Sequence, residues 1–304
     1  MRALSWLWVG LPLLGAAELG GQLWASHRAP TQSEWLAVQS EVQSAKAPEA
    51  AVVIAPSWAE PLARAAWGEK LMPLRDVARP GLDGYPRALE ISILGQSAPE
   101  LESWPVTQEH SVGRFILRQR ENPAAPRVQF DFVDAVSEAD VSETDGTEDK
   151  PCPWQPRGRA KSGGLGGHPT YPAARFNCPS GEPYLVGVTV IDDQDYRARR
   201  CIHAYPTQRG PLKLRFADVP LGTELRGHAG LPWVLVRDGG GAPVRLEVFV
   251  NGKSVGTHEQ RDEMGWAGFR FKTGASPGVR GNIEFRVSSD SVQNRHFCFA
   301  ADLR

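Results

Sequence analysis

A chain of 304 residues with 41% apolar and 23% charged content can bury about two domain cores. Basic and acidic residues nearly balance, 34 against 35, for a net charge of −1. That excludes a nucleic-acid backbone as the main partner, because phosphate binding needs a basic surplus. Glycine (31) and proline (25) are plentiful and crowd the second half, which fits a turn-rich β region rather than a helical bundle.

Residues 3–17 read ALSWLWVGLPLLGAA, an apolar run behind Arg2 and the free amine. Its length fits the core of a signal peptide, with Gly15-Ala16-Ala17 as small residues for cleavage. The alternative is one membrane-spanning helix from Ala3 to Trp24, near the ~20 residues a bilayer requires. Trp6, Trp8 and Trp24 would then mark the interfaces. The uncleaved anchor is slightly favoured. Residues 1–28 are therefore expected to tether a single-pass chain to the cell membrane, with its bulk extracytoplasmic; cleavage would make it secreted.

Thr31-Gln32-Ser33-Glu34 has the spacing of a capping box, and Trp35, Val38 and Val42 follow at helical spacing. Ala51–Ala55 reads as a short, wholly apolar strand of a covered parallel sheet. A second helix follows, with Leu62, Ala66 and Trp67 as its apolar side and Gly68 as its stop. Leu89–Leu94 and Phe115–Arg118 read as further strands. Strand, helix, strand in this order predicts a small α/β domain over residues 31–122.

The stretch from Trp35 through AVVIAPSWAEPLARAAWG resembles the soluble tail of membrane-embedded, lipid-linked-sugar glycosyltransferases. The resemblance covers residues 4–70, contains no catalytic motif, and lacks the multi-span membrane body of that family. It implies association with envelope sugar assembly and no transferase activity.

Residues 123–150 are read as a strand (Arg127–Val133) followed by an exposed acidic linker, SEADVSETDGTEDK at 137–150. Residues 151–304 carry all four cysteines, Cys152, Cys178, Cys201 and Cys298. An even set without a C-x-x-C pair fits disulfides in an oxidising compartment. Of the three pairings, Cys152–Cys178 with Cys201–Cys298 is favoured, because the first bracket closes a Gly/Pro-rich loop. Cys201-Ile202-His203 mirrors His296-Phe297-Cys298, so a Cys₂His₂ zinc site is the alternative, without the usual zinc spacings.

From Tyr184 onward the pattern is β. Tyr184–Ile191, Leu212–Phe216, Trp233–Val236, Val244–Val250, Gly268–Lys272 and Asn282–Val287 are strand-like, and Asn251-Gly252 signals a two-residue hairpin. This predicts a disulfide-stapled antiparallel β-sandwich of jelly-roll type, so the fold class of the whole chain is α+β. Through RLEVFVNGKSVG and the terminal FCFAADLR, this half is similar to galactose-binding-like sandwiches.

Motifs for catalysis fail on context. Gly274-Ala275-Ser276-Pro277-Gly278 matches G-x-S-x-G, but Pro277 and Gly278 lead into a strand rather than a helix. Ser162–Gly167 lacks the Lys-Ser/Thr ending of a phosphate loop. Asp192, Asp193 and Asp195 crowd one turn without defining cation geometry, so a solvated turn is favoured. Ser57, Glu60 and Arg64 follow a strand end in the manner of ordinary helix capping. No catalytic residue, metal or cofactor is expected.

The remaining group is aromatic. His228, Trp233 and Trp266 fall in loop-like contexts near Arg237, Arg226 and Asp262. Indole faces with adjacent hydrogen-bonding groups have the anatomy of a small polar-ligand site, while large aromatics more often plug a core. The expectation is an extracytoplasmic, non-catalytic protein that binds glycans or serves an envelope complex, with Trp233, Trp266, His228 and Arg237 as ligand-binding residues. An envelope hydrolase or transferase, or a structural partner of a membrane complex, is the alternative.

Overall fold

The computed structural model describes residues 12–21, 29–124, 127–161, 163, 169–237, 239–276 and 278–304. Two compact units separate, one of Met1–Val77 with Tyr85–Ala125 and one of Ala78–Gly84 with Pro126–Arg304. The expected membrane segment, residues 1–28, falls mostly outside the described residues; its described part, 12–21, is helical. Among the described residues no helix is long and apolar enough to cross a membrane.

In the first unit, helix α1 (Gln32–Ala45) opens on the expected capping box. The Thr31 amide donates to Glu34 Oε2 at 2.7 Å, and Thr31 Oγ1 accepts from the Glu34 amide. Strand β1 (Ala50–Ala55) is wholly buried, and α2 (Glu60–Leu71) and α3 (Leu74–Val77) follow. The inward side of α2 is Ala63, Trp67 and Leu71, while Leu62 is exposed. Trp67 is buried and Ala66 packs on the core as expected, so the correction concerns Leu62 alone.

Strands β2 (Arg87–Ile93), β3 (Val106–Val112) and β4 (Phe115–Glu121) complete a sheet of order β1-β2-β4-β3, with only β1 and β2 parallel. Trp35 meets Trp67 edge-on at 5.2 Å, and the Trp67 indole N–H donates to the Trp35 carbonyl at 2.7 Å. On the alternate pleat of β2, the buried Glu90 carboxylate accepts from Arg120 Nε at 2.7 Å and from the Ala98 amide at 2.6 Å. A buried charge needs such partners on both oxygens.

The second unit is a sandwich of two antiparallel sheets. Its strands are β5 (Phe130–Asp131), β6 (Asp140–Asp145), β7 (Glu148–Pro151), β8 (Trp154–Gln155), β9 (Arg175–Asn177), β10 (Leu185–Asp192), β11 (Ala198–Ala204), β12 (Leu212–Pro220) and β13 (Glu224–Gly230). A helical turn α4 (Trp233–Val236) precedes β14 (Val244–Val250), β15 (Lys253–Gln260), β16 (Ala267–Lys272), β17 (Arg280–Ser289) and β18 (Cys298–Leu303).

One sheet runs β16-β13-β18-β11-β10-β9-β8, with β5 also on β18; the other runs β15-β14-β17-β12-β6-β7. Alternation places Leu212, Leu214 and Phe216 of β12 and Ile283, Phe285 and Val287 of β17 in one core. Ile202 of β11, Leu225 of β13 and Phe299 of β18 meet them from the other sheet. At the β14–β15 hairpin, Asn251 and Gly252 take φ of 50° and 79°, the backbone that a two-residue turn demands.

Three expectations need correction. Residues 137–150 are not a linker: they form β6 and β7 in the six-stranded sheet. Their carboxylates meet cations from other parts of the chain. Asp145 pairs with Arg209 at 2.9 Å, and Asp149 with Lys213 at 2.7 Å. Of Arg127–Val133 only Phe130–Asp131 is strand, because the Asp131 side chain accepts the Val133 and Asp134 amides and bends the chain. Trp233–Val236 is helical rather than extended.

Both favoured disulfides are formed, Cys152–Cys178 and Cys201–Cys298. Removing each pair by paired Cys→Ala substitution is expected to lower thermal stability, more for Cys201/Cys298. That bridge spans 97 residues against 26, and loop-closure entropy grows with loop length. Calorimetric melting of the two variants checks the order, and equal losses or the reverse order would refute it.

Candidate functional site

The four side chains singled out in the sequence divide into two pairs, Trp266 with His228 and Trp233 with Arg237. Trp266 lies just before β16, against Gly230 of β13. A Cβ at Gly230 would stand 2.7 Å from Trp266 Cε3, so only glycine leaves room for the ring there. The indole N–H donates to the Pro80 carbonyl at 2.8 Å. The His228 ring lies parallel to it at 6.2 Å, and the Arg199 guanidinium is 5.9 Å from its centroid.

Pro80 belongs to a segment of this unit, Ala78–Gly84, that runs along the same surface. The Arg200 amide donates to the Ala78 carbonyl at 2.5 Å, and Arg199 Nη1 to the Arg79 carbonyl at 3.1 Å. Trp266 also packs on Ile191 and the Cys201–Cys298 bridge. Its ring and its N–H are thus engaged by the protein itself. Trp266 and His228 are both half-buried.

The second pair is different. Trp233 opens α4 and is half-buried, and the guanidinium of the exposed Arg237 lies 5.8 Å from its ring. Tyr196, which sequence reasoning passed over, joins them: its ring is 5.2 Å from Trp233 at an interplanar angle of 36°. Tyr196 is 72% exposed at the tip of the β10–β11 turn. The result is an exposed tyrosine against a half-buried tryptophan with a cation beside them, chemistry suited to stacking on the apolar face of a polar ring and bonding its hydroxyls.

Buried polar groups hold the loops beneath this patch. Asp193 Oδ1 accepts the Asp195 and Arg197 amides, each at 2.9 Å, and Oδ2 accepts Arg199 Nε at 2.7 Å. Gln194 donates to the Asp262 carbonyl, and the Asp262 side chain accepts from Arg295 and from the Gly241 amide. The β10–β11 turn is thereby tied to residues 262–265 and to the chain after α4.

The other candidates resolve into structure. Asp193 is consumed by its own turn rather than left for a cation. Arg64 donates to the Met72 carbonyl at 2.9 Å and pairs with Glu69. The residues of the alternative zinc reading divide, the cysteines into a disulfide and His203 and His296 onto one another at 3.1 Å. His203 Nδ1 faces the Leu185 carbonyl at 3.0 Å, which only accepts, so this nitrogen carries a proton. Ser276 lies in irregular chain; Pro277, and Ser162–Gly167 apart from Gly163, lie outside the described residues.

No family model matches the chain, and no curated protein matches it. Solved structures do align with it. A CBM51 module from Clostridium perfringens GH95 in complex with methyl-galactose aligns at 11% identity and a TM-score of 0.28, over 38% of this chain and 80% of that one. CBM51-2 in complex with GlcNAc, with INT domains, from Clostridium perfringens ZmpB aligns at 10% identity and a TM-score of 0.32, over 66% and 40%. The C-terminal CBM6 of LamC from Zobellia galactanivorans gives 6% identity and a TM-score of 0.26, over 38% and 88%. Likeness at this level assigns no ligand to this chain. None of these comparisons supports the resemblance of residues 4–70 to glycosyltransferase tails.

Burial holds the His228 imidazole below its ordinary pKa; Arg199 and Arg304 act in the same direction, Asp83 and Asp302 against it. A histidine depressed in the folded state gives stability that is present above its unfolded pKa of about 6.5. That stability is lost as pH falls from there toward the folded value. Between pH 7 and pH 5 the melting temperature is expected to fall, and less steeply in His228→Gln. Identical slopes for the two proteins would show that His228 is not the group responsible.

Proposed function

We propose that this chain is an extracytoplasmic, non-catalytic protein that binds a glycan on the Tyr196–Trp233 patch, with Arg237 as a hydrogen-bonding neighbour. The observation that carries the reading is the exposure of Tyr196 beside Trp233, on loops at one end of a rigid sandwich. Exposed aromatic faces gain little for folding, and a sugar ring offers both an apolar face to stack and hydroxyls to bond. Two disulfides support work in an oxidising compartment. The apolar run at residues 3–17 supports export, with residues 1–28 as a membrane tether or a cleaved leader. Association with cell-surface polysaccharide assembly follows from such a place and such a ligand.

A glycan array probed with the full chain is expected to return a defined set of binders. Against the best of them, Trp233→Ala and Tyr196→Ala are each expected to weaken binding by roughly threefold to tenfold, the worth of one stacking aromatic. Tyr196→Ala should leave the melting temperature within about 2 °C, as suits an exposed side chain. A structural pair would give the opposite outcome, a large loss of stability and unchanged affinity. Trp266→Phe serves as the contrast, and it should cost stability without changing affinity in the folded protein.

A further inference from the structure

Tyr196 stands at φ 56°, in the left-handed region that glycine enters freely and a bulky side chain does not. Burial does not compensate, because the residue is 72% exposed. A turn selected for stability alone would place glycine or asparagine here. Residues kept in such conformations persist only where the surroundings over-determine them, and they cluster where a ligand is held.

The surroundings do over-determine this turn. The Tyr196 amide donates to the Asp193 carbonyl at 3.0 Å, and the Asp193 amide to the Arg197 carbonyl at 3.0 Å. The Asp193 side chain, 2% exposed, accepts the amides on both sides of Tyr196, those of Asp195 and Arg197. Its second oxygen is held by Arg199, which is itself anchored on the Arg79 carbonyl. Every one of these bonds fixes the backbone that carries the tyrosine, and none of them uses the tyrosine ring. The ring is left pointing at Trp233.

We infer that Asp193 is a positioning residue whose buried carboxylate holds Tyr196 in a strained, preorganised pose as one wall of a pyranose-binding platform. The inference rests on the sugar-binding reading of the Tyr196–Trp233 patch. It assigns the ligand class to glycans presenting the apolar face of a pyranose ring. It also makes Tyr196, rather than Trp266, the aromatic partner of Trp233. Preorganisation matters because ordering a loop on binding subtracts from affinity.

The test uses the full chain and the best-binding glycan from the array, in three variants. Tyr196→Gly relieves the strain and removes the ring, so affinity should drop at least about tenfold while the melting temperature stays level or rises. Asp193→Ala frees the turn: hydrogen exchange at the Asp195 and Arg197 amides should quicken at least about tenfold, and affinity should fall with it. Asp193→Asn keeps an oxygen for both amides but sets a donor against Arg199 Nε, so its exchange protection and affinity should fall between those of wild type and Asp193→Ala.

Affinity unchanged in Tyr196→Gly, or a fall in its melting temperature, would overturn the strained-platform assignment. Faster exchange in Asp193→Ala with undiminished affinity would overturn the positioning role. Absence of any glycan binding by the wild type would instead overturn the proposed function, which separates that failure from the other two.

Discussion

The inner faces of the two sheets meet on a knot of phenylalanine rings, and the placement of every outer-face residue depends on it. Phe285 of β17 lies 4.8 Å from Phe132 and 5.0 Å from Phe299 of β18, and Phe132 lies 4.9 Å from Phe216 of β12. Phe132 comes from neither face proper; it follows β5 in the bend that Asp131 caps, and it plugs the gap between the sheets. Once Phe299, Leu225 and Ile202 point inward, the pleat sends Cys298, Arg226, His228, Cys201 and His203 outward. A slip of one residue in any of these strands would exchange the two sets, so the core fixes the surface chemistry by register.

Much of this was legible locally. Strands such as Val244–Val250 announce themselves by alternation and the hairpin by Asn251-Gly252, because pleat and turn geometry act over a few neighbouring residues. The acidic stretch misled for the opposite reason. What makes Asp140–Asp145 and Glu148–Pro151 strands is the supply of Arg209, Lys213 and Arg215, more than 60 residues further on, which offsets their charge. Trp233–Val236 is an apolar run too short for periodicity to separate helix from strand, and it resolves into a helical turn.

The site was half legible. Four side chains were named from composition and context, and the fold treats the two tryptophans differently although the residue type is the same. The fate of an indole turns on what its N–H and its faces meet. For Trp266 the N–H partner is Pro80, 186 positions away in sequence, and nothing near residue 266 signals it. Trp233 has Arg237 four positions on, a spacing that helical geometry brings together, so that pair was within reach of local reasoning. Tyr196 was hidden by its neighbours: Asp-Asp-Gln-Asp reads as an ordinary solvated turn, and only the fold shows Asp193 buried and bonded to the backbone on both sides of the tyrosine. The clue available in the sequence was an aromatic residue at the apex of an acidic turn, where no core can take it.

The patch also shows how a rigid base and an exposed tip are joined. Along one face of β11, Arg199, Cys201 and His203 recur at the period of the pleat, and each makes a different bond. His203 is locked to His296, Cys201 to β18 through the disulfide, and Arg199 to the carboxylate of Asp193. The strand is therefore anchored twice before it reaches the residue that holds the turn. Motion that would misplace Tyr196 must first move Arg199, two residues from a covalent crosslink. A turn whose supports are fixed from below in this way holds its backbone in place even where its side chain stands in solvent. The buried crosslink thus acts through β11 on the turn that carries Tyr196.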